Sequence, residues 1–428
     1  PWMDNTFRRW IAVGTAAKLY VYDSAATLTD ITPTGFTPGR ESANPNVGYG
    51  NAVYGFSTYG DPRPDLGIPE PATIWSFDLW GENLVGCTPD DGDVYEWDAS
   101  TAAPASAIAA RIANSPQFAI ATAVTSERIQ MVFGGTPSGG AEADRDRRRV
   151  FWSDSEDNTD WTPTTTNQSG DHVLDTEGDL LGAVKVRDRL LIFTTIDAHL
   201  ATYVGLPYVY SFDRVGDACG PVNINAVAVA DPTAYWMGRS AQGFFSYDGN
   251  LQSIPCDVES YLVTQMNQAQ ASKVVAWHNT LFNEVVWFYP GDTTEIDAYI
   301  SYNYVEEHWS VGTLARTAVM SRGIFLHPIL FDSDGNPYEH EVGNTYEDVG
   351  EAAKVPYVES GPIELGNGDR VLSATSLIPD VTSLGDITTT FFTRLYPNDS
   401  DTQYGPFTMA DPTSVRFTGR TCRMRCTS

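Results

Sequence analysis

Six histidines are the first place to look for acid–base or metal chemistry. His172, His199, His278, His308, His327 and His340 fall in separate stretches of the chain, with no HExxH pair and no His-rich tract. The five cysteines (Cys87, Cys219, Cys256, Cys422 and Cys426) are few, odd in number and widely spread. There is no CxxC pair, and Cys422 and Cys426 lack neighbours at zinc-ligand spacing. They read as reduced thiols from a cytosolic assembly environment. There is no GxSxG elbow, no P-loop and no GxGxxG following a strand. A Ser, His and Asp brought together by the fold stays open, with nothing local in its favour. The reading is of a chain without catalytic residues, metal ligands or cofactor: not an enzyme.

Carboxylates are the more abundant resource. There are 55 acidic side chains against 26 basic ones, a formal net charge of −29. A protein that grips nucleic acid by its phosphates needs the opposite sign. Acidity of this size serves solubility, or lines a passage that repels a polyanion from its walls. Asp332-Ser333-Asp334-Gly335-Asn336 has the alternating oxygen donors of a calcium loop, but Pro337 stands where an EF-hand needs Gly, so a plain hairpin turn is expected. Asp90, Asp91 and Asp93 crowd another turn, and with Asp332 and Asp334 they are the candidates for an acidic channel lining. Ser153–Trp161 resembles the Asp box of sialidase propellers without its glycine and with Trp one position off; that box is structural, away from the catalytic centre. Arg145, Arg147, Arg148 and Arg149 precede the strand Val150–Trp152. They could touch a partner, or guard an aggregation-prone strand as a solvated loop.

The elements that carry these residues are strands. Aromatics make up 12% of the chain, with 36 Gly and 26 Pro to supply turns. Trp10–Gly14 and Lys18–Asp23 read as a hairpin, and similar units recur at Trp75–Asp98, Arg128–Trp161, Leu181–Tyr203, Ala226–Tyr247, Val274–Trp309 and Ile324–Glu341. Asp91-Gly92 is a strong local hairpin signal. Most units end in an aromatic close to an acidic or amide residue: Tyr22-Asp23, Trp97-Asp98, Trp152 before Asp154, Tyr247-Asp248, Tyr302-Asn303 and Tyr338-Glu339. Three add a closing strand around Asp30–Thr32, Asp160–Thr162 and His308–Ser310. Such repetition predicts an all-β fold: an irregular β-propeller of about six or seven blades over residues 1–350. A pair of β-sandwiches is the alternative. One helix is expected, capped by Asp257 and carrying Val258, Tyr261, Leu262, Gln265 and Met266, bridging two blades. Longer strands at Val355–Leu365, Asp369–Ile378, Ile387–Tyr396 and Thr413–Arg425 predict a C-terminal antiparallel sandwich-like domain over 351–428.

A long insertion, 34–72, interrupts the first two units. Within it Tyr49-Gly50, Tyr54-Gly55 and Tyr59-Gly60 recur every five residues, and a subunit or partner contact is the expected role. The many Trp and Tyr leave room for a rival, a sugar-binding or glycan-degrading propeller. No apolar run approaches the roughly 18–20 residues of a membrane span. The opening Pro-Trp-Met and the basic ending Arg420–Arg425 leave both native termini open.

Several segments together resemble one family. Trp10–Asp23 with Asp30–Pro33, the Tyr-Gly loop followed by Trp75–Cys87, Glu284–Ala318, Asp334–Gly343 and Tyr404–Arg425 are similar to hub or nozzle proteins in the tails of short-tailed bacteriophages, related in role to packaged-DNA stabilisation proteins. The resemblance implies a virion protein assembled in the host cytoplasm. It would form a ring, commonly a hexamer, below the portal and adaptor proteins, with tail fibres or spikes attached outside. DNA would pass through the ring without sequence-specific binding. The family has no catalytic residues to transfer, and its tail setting makes the rival a receptor-binding or glycan-degrading propeller.

Overall fold

The computed structural model describes residues 1–23, 27–43, 70–100, 107–230, 232–239, 243–321, 323–342, 357–364, 370–380, 387–396 and 398–427. The chain is all-β, made of many small antiparallel sheets, and divides into two compact units, Pro1–Glu341 and Val342–Ser428.

Among its described residues the first unit strings seven sheets along the chain, each a meander of neighbouring strands. Sheet one holds β1 (Trp2–Met3), β2 (Arg9–Gly14), β3 (Leu19–Tyr22) and β4 (Leu28–Asp30). Sheet two holds β5 (Ser76–Trp80), β6 (Asn83–Cys87), β7 (Val94–Trp97) and β8 (Ala110–Arg111). Sheet three holds β9 (Ala121–Val124), β10 (Gln130–Phe133), β11 (Arg149–Trp152) and β12 (Gly170–Val173). Sheet four holds β13 (Leu180–Val186), β14 (Arg189–Thr194), β15 (Ala198–Gly205) and β16 (Val209–Gly216). Sheet five holds β17 (Val227–Ala230), β18 (Thr233–Met237), β19 (Phe244–Tyr247) and β20 (Leu251–Ile254). Sheet six holds β21 (Val275–Asn279), β22 (Glu284–Pro290), β23 (Ile296–Asn303) and β24 (His308–Thr313). Sheet seven has three strands, β25 (Ala318–Met320), β26 (Ile329–Phe331) and β27 (Pro337–Glu339).

The repeated aromatic endings have a common place in this order. Tyr22, Trp97, Trp152, Tyr247, Tyr302 and Tyr338 all lie on the third strand of their sheet. A sheet this small cannot bury both faces alone, so it packs on its neighbours, and each junction has its own apolar core. Trp2, Trp10 and Trp97 fill the junction of sheets one and two, and Val85, Val94, Val132 and Phe151 that of two and three. Met131, Trp152, Ile192 and Tyr210 join three to four, and Leu191, Phe193, Trp236 and Phe245 join four to five. Phe244, Leu262, Trp287 and Ile300 join five to six, and Trp277, Phe288 and Leu330 join six to seven.

Four local expectations are corrected. Asp160–Thr162 is not a closing strand: Trp161 turns inward to donate Nε1 to the Asn158 carbonyl at 2.7 Å, and β12 closes the sheet instead. Asp91-Gly92 is not a two-residue hairpin. Only Gly92 takes positive φ (+76°), in a six-residue connection between β6 and β7, and a Cβ there would come within 2.6 Å of the Phe118 Cα. The helix α1 spans Glu259–Gln265 between sheets five and six. Val258, not Asp257, stands at its N-cap without a side-chain bond, and Tyr261 is exposed while Leu262 is buried. Finally, Thr413–Arg425 is two strands rather than one.

In the second unit, those two strands are β33 (Thr413–Gly419) and β34 (Thr421–Thr427). They follow β28 (Tyr357–Glu359), β29 (Ile363–Glu364), β30 (Leu372–Leu377), β31 (Thr388–Arg394) and β32 (Thr402–Thr408), the last of which the sequence reading missed. β34 is central to a five-stranded sheet, and β30 pairs with β33. Phe391, Val415, Phe417 and Cys422 form the core.

Candidate functional site

A meander fixes where its turns fall. The first–second and third–fourth turns of each sheet lie at one end of the strands, the tip end. The second–third turn and the connection to the next sheet lie at the other, the crossover end. Hydrogen bonds between sheets agree with this division. At the crossover end the Gln117 and Thr136 backbones exchange bonds of 2.9 and 2.8 Å, Leu180 N–H donates to the Arg147 carbonyl, and Cys219 N–H to that of Ile196. At the tip end Asn5 N–H donates to Glu82 Oε2 at 2.8 Å, and Arg187 Nη2 to the Asp248 carbonyl at 3.2 Å.

Asp90, Asp91, Asp93, Asp332, Asp334 and Arg145–Arg148 lie on second–third turns, and Arg149 opens the strand that follows one, hence all at the crossover end. Most are occupied within the chain. Asp90 accepts from Thr73 Oγ1 at 2.6 Å and lies 3.6 Å from Arg40. Asp91 accepts from Thr37 N–H at 2.7 Å and from Tyr95 Oη at 2.5 Å, while Asp93 pairs with Arg111 at 2.8 Å. Asp332 is closed on its own hairpin by Asp334 N–H, Asn336 and Tyr338, which holds its carboxyl below the ordinary range although burial works the other way. Asp334 is exposed. Arg147 pairs with Asp179 and Arg149 with Asp171, both at 3.0 Å, and Arg148 Nη1 donates to the Thr176 carbonyl at 3.2 Å. Arg147 and Arg148 thereby tie the turn of sheet three to the connection that leads to sheet four, and Arg149 ties it to β12. Burial, then the Arg147 charge, lowers the Arg145 guanidinium from its ordinary value.

The insertion leaves from this same end. Tyr49, Gly50, Tyr54, Gly55, Tyr59 and Gly60 lie outside the described residues; its stem does not. On one side Arg40 pairs with Glu70 at 2.5 Å and exchanges bonds with Thr73 beside Asp90. On the other, the stem meets the connection between sheets five and six. Gln270, a buried amide only 3% exposed, accepts the Ala43 N–H at 2.9 Å and donates to the Ala43 carbonyl at 3.1 Å. Ala72 N–H donates to Ser272 Oγ at 3.0 Å, and Lys273 donates to Ser42 Oγ at 3.1 Å while pairing with Glu295. One insertion thus bonds two regions that are far apart in the sheet order. No motif announces Gln270, because its role depends on contacts more than 200 residues away.

A second polar assembly was also missed. Asp197, in the second–third turn of sheet four, is 1% exposed. It accepts from Thr194 Oγ1 at 2.5 Å and Thr176 Oγ1 at 2.9 Å, pairs with Arg214 at 2.8 Å, and has His199 Nε2 at 3.2 Å. Burial opposes its charge, yet the two threonines, His199 and Arg214 together keep the carboxyl below its ordinary value. Burial lowers His199 despite the Asp197 charge. Nearby Cys219 is buried and its thiol pushed up to about 11, chiefly by burial and then by Asp197. Groups this enclosed, and a thiol this far from ionised at neutral pH, hold a turn together rather than meet a substrate. Among the described residues no three His, Cys, Asp or Glu side chains are grouped to hold a metal ion, and no helix is long and apolar enough to cross a membrane.

No family model matches the chain, and no curated protein matches it. Among solved structures it is similar to Hsv2 of Kluyveromyces lactis at 8% identity and a TM-score of 0.36, over 63% of this chain and 74% of that one. It is similar to the AfRom2 CNH domain at 10% identity and 0.36, over 81% and 91%. A fungal AA5-family alcohol oxidase in complex with copper is similar at 11% identity and 0.28, over 97% and 89%.

Proposed function

We propose that this chain is a structural subunit of a bacteriophage tail tube, a hub or nozzle protein that assembles in a ring through which DNA leaves the virion. The observation that carries the reading is the double anchoring of the insertion. The stacked sheets hold one long Tyr/Gly-rich segment by both sides of its stem, an arrangement suited to presenting it to a neighbouring subunit. The seven sheets close into one propeller in this reading. Arg9 of the first sheet lies 5.9 Å over the ring of Phe325, in the first–second connection of the seventh. Lys185 of sheet four reaches Asp78 of sheet two at 2.9 Å, past the intervening sheet three. The insertion stem would then lie across the central opening at the crossover end, so DNA would follow the axis of the subunit ring and not that of the propeller. The acidic balance of the chain suits a wall that phosphates slide along. Portal and adaptor proteins above and fibres or spikes outside would be the partners.

A glycan-degrading reading has one observation in its favour. Burial, then the charge of Glu341, raises the Glu284 carboxyl above its ordinary value, as a general acid requires, and Phe282 beside it is exposed. Electron microscopy of purified protein and of virion tails, classified for rotational symmetry, tests the first reading. Rings with a bore support it; monomers that cleave polysaccharide and lose that activity as Glu284→Gln overturn it.

A further inference from the structure

The basic run at the crossover end is used unevenly. Arg147, Arg148 and Arg149 are each bonded within the chain, to Asp179, the Thr176 carbonyl and Asp171. Arg145 is not. Its Nε is enclosed without a hydrogen-bond partner, and among the described residues no carboxylate lies within ion-pair distance of its guanidinium. Glu142 and Asp179 are near enough to act on its charge, but Asp179 is taken by Arg147 at 3.0 Å. Asp146, its neighbour in sequence, faces Arg148 and Arg149 at 3.9 and 3.7 Å.

The turn that carries Arg145 covers residues 134–148, the longest second–third turn of the seven sheets. Its base is closed by Gly135 and Asp146, whose backbones exchange bonds of 3.2 and 3.1 Å. Gly139 N–H donates to Gln117 Oε1 at 2.9 Å and pins its middle to the connection before sheet three. Residues 141–144 are exposed, and the single 3-10 turn Glu142–Asp144 ends at Arg145, whose N–H donates to the Glu142 carbonyl at 3.0 Å. Arg145 is thus held half-buried where the turn re-enters its sheet. A guanidinium in that position without a partner costs stability, because burial removes water that no bond replaces. A chain with 55 acidic side chains leaves it unpaired all the same, and stability forgone in this way is a mark of a contact site.

We propose that Arg145 receives a carboxylate from a second copy of this chain. A carboxylate meets a guanidinium in a two-pronged fork. Each copy brings 55 acidic side chains against 26 basic ones, so a carboxylate is the group that a neighbouring copy most readily offers. Copies of net charge −29 repel one another and need such contacts to associate. DNA suits the site less well: Glu142 and Asp144 on the same turn, with Asp179 beside it, would face a line of phosphates, whereas a single carboxylate brings one charge. The turn lies at the crossover end, from which the insertion also leaves. The inference rests on the ring of the tail-tube reading and names one contact within it.

Mass photometry of the full chain over a concentration series tests it. Wild type should form rings, and Arg145→Met should raise the concentration of half-assembly about 30-fold, as when one partner of a desolvated charge pair is lost. Below the assembly concentration the variant should melt no lower than wild type. Arg189→Met, which removes an exposed cation at the tip end, should leave assembly unchanged. Arg145→Lys treated with a carbodiimide, which condenses an amine with a touching carboxylate, should join two copies through position 145. Four results overturn the proposal and leave the tail-tube reading standing: unchanged assembly of Arg145→Met, a lower melting temperature for it, an equal loss in Arg189→Met, or a cross-link confined to one chain. Arg145→Met rings that form normally but fail to infect also overturn it, placing the contact on another virion protein. A wild type that stays monomeric at every concentration overturns the reading and the proposal together.

Discussion

Gln270→Ala tests whether the insertion is held as described. The substitution removes both bonds between the buried amide and the Ala43 backbone, at 2.9 and 3.1 Å. Each such neutral bond contributes about 1 kcal/mol net, and leaving backbone groups unsatisfied costs more where water cannot reach them. Ala43 is partly exposed, so water replaces part of the loss, and about 2 kcal/mol is the expected change in holding the stem closed. That corresponds to roughly a 30-fold rise in the opening equilibrium, at tenfold per 1.4 kcal/mol. Amide hydrogen exchange reads it directly, because the Ala43 N–H is itself one of the donors. Ala43 and Ala72 should exchange about 30-fold faster, while β22 and β23, on the far side of the same connection, keep their protection. Ala43 exchange equal to wild type would refute the clamp. Faster exchange spread evenly over sheets five and six would mean that Gln270 stabilises the body and not the stem.

Acid should loosen sheet four in two stages. His199 is held below its ordinary value of 6.5, so its stabilising contribution is complete above that pH and is lost as pH falls through the folded value. Asp197 is held below 3.8 and adds a second loss at lower pH. Melting temperature should therefore fall from pH 7 to pH 5, and His199→Gln should flatten that part of the profile; an unchanged slope counts against burial as the cause. Gly135 has φ +109°, and a Cβ there would sit 2.3 Å from the Gln117 carbonyl oxygen. Gly135→Ala should cost about 3 kcal/mol in denaturant unfolding, and a loss within experimental error would show that this turn has room to shift. Glu284→Gln should leave particle assembly and DNA delivery intact, as measured by plaque formation; a variant that assembles but fails to infect would favour the catalytic reading.

The sequence made the strand-rich character readable because sheet signals are local: apolar runs, turn residues and a recurring aromatic. The third-strand position of Tyr22, Trp97, Trp152, Tyr247, Tyr302 and Tyr338 was visible as a repeat because each stands on the same strand of its sheet, where Trp97, Trp152, Tyr247 and Tyr302 are buried. Trp161 broke the pattern, since its indole is drawn into the loop that precedes β12. Gly419-Arg420 hid the break between β33 and β34, which pair in different sheets with one residue between them, because alternation continues across it and neither Pro nor Asn marks it. The site was less legible for a physical reason. Gln270, Ser272 and Lys273 act on residues about 200 to 230 positions away, and Asp197 draws on Thr176 from the connection before sheet four and on Arg214 from β16. A single amide or carboxylate carries no sign in sequence of which distant backbone it will meet. The acidic turns were visible as charge, but not the arginines, tyrosines and threonines that engage most of them.

The central claim is that the chain builds a tube wall, and electron microscopy of the purified protein beside isolated virion tails addresses it most directly. The account predicts closed rings, commonly sixfold, with a seven-sheet propeller in every subunit, the insertion at the contact between neighbours, and the same ring below the portal in the tail. Isolated monomers, with no matching density in the tail tube and a cleft in which Glu284 and Glu341 converge, would contradict it.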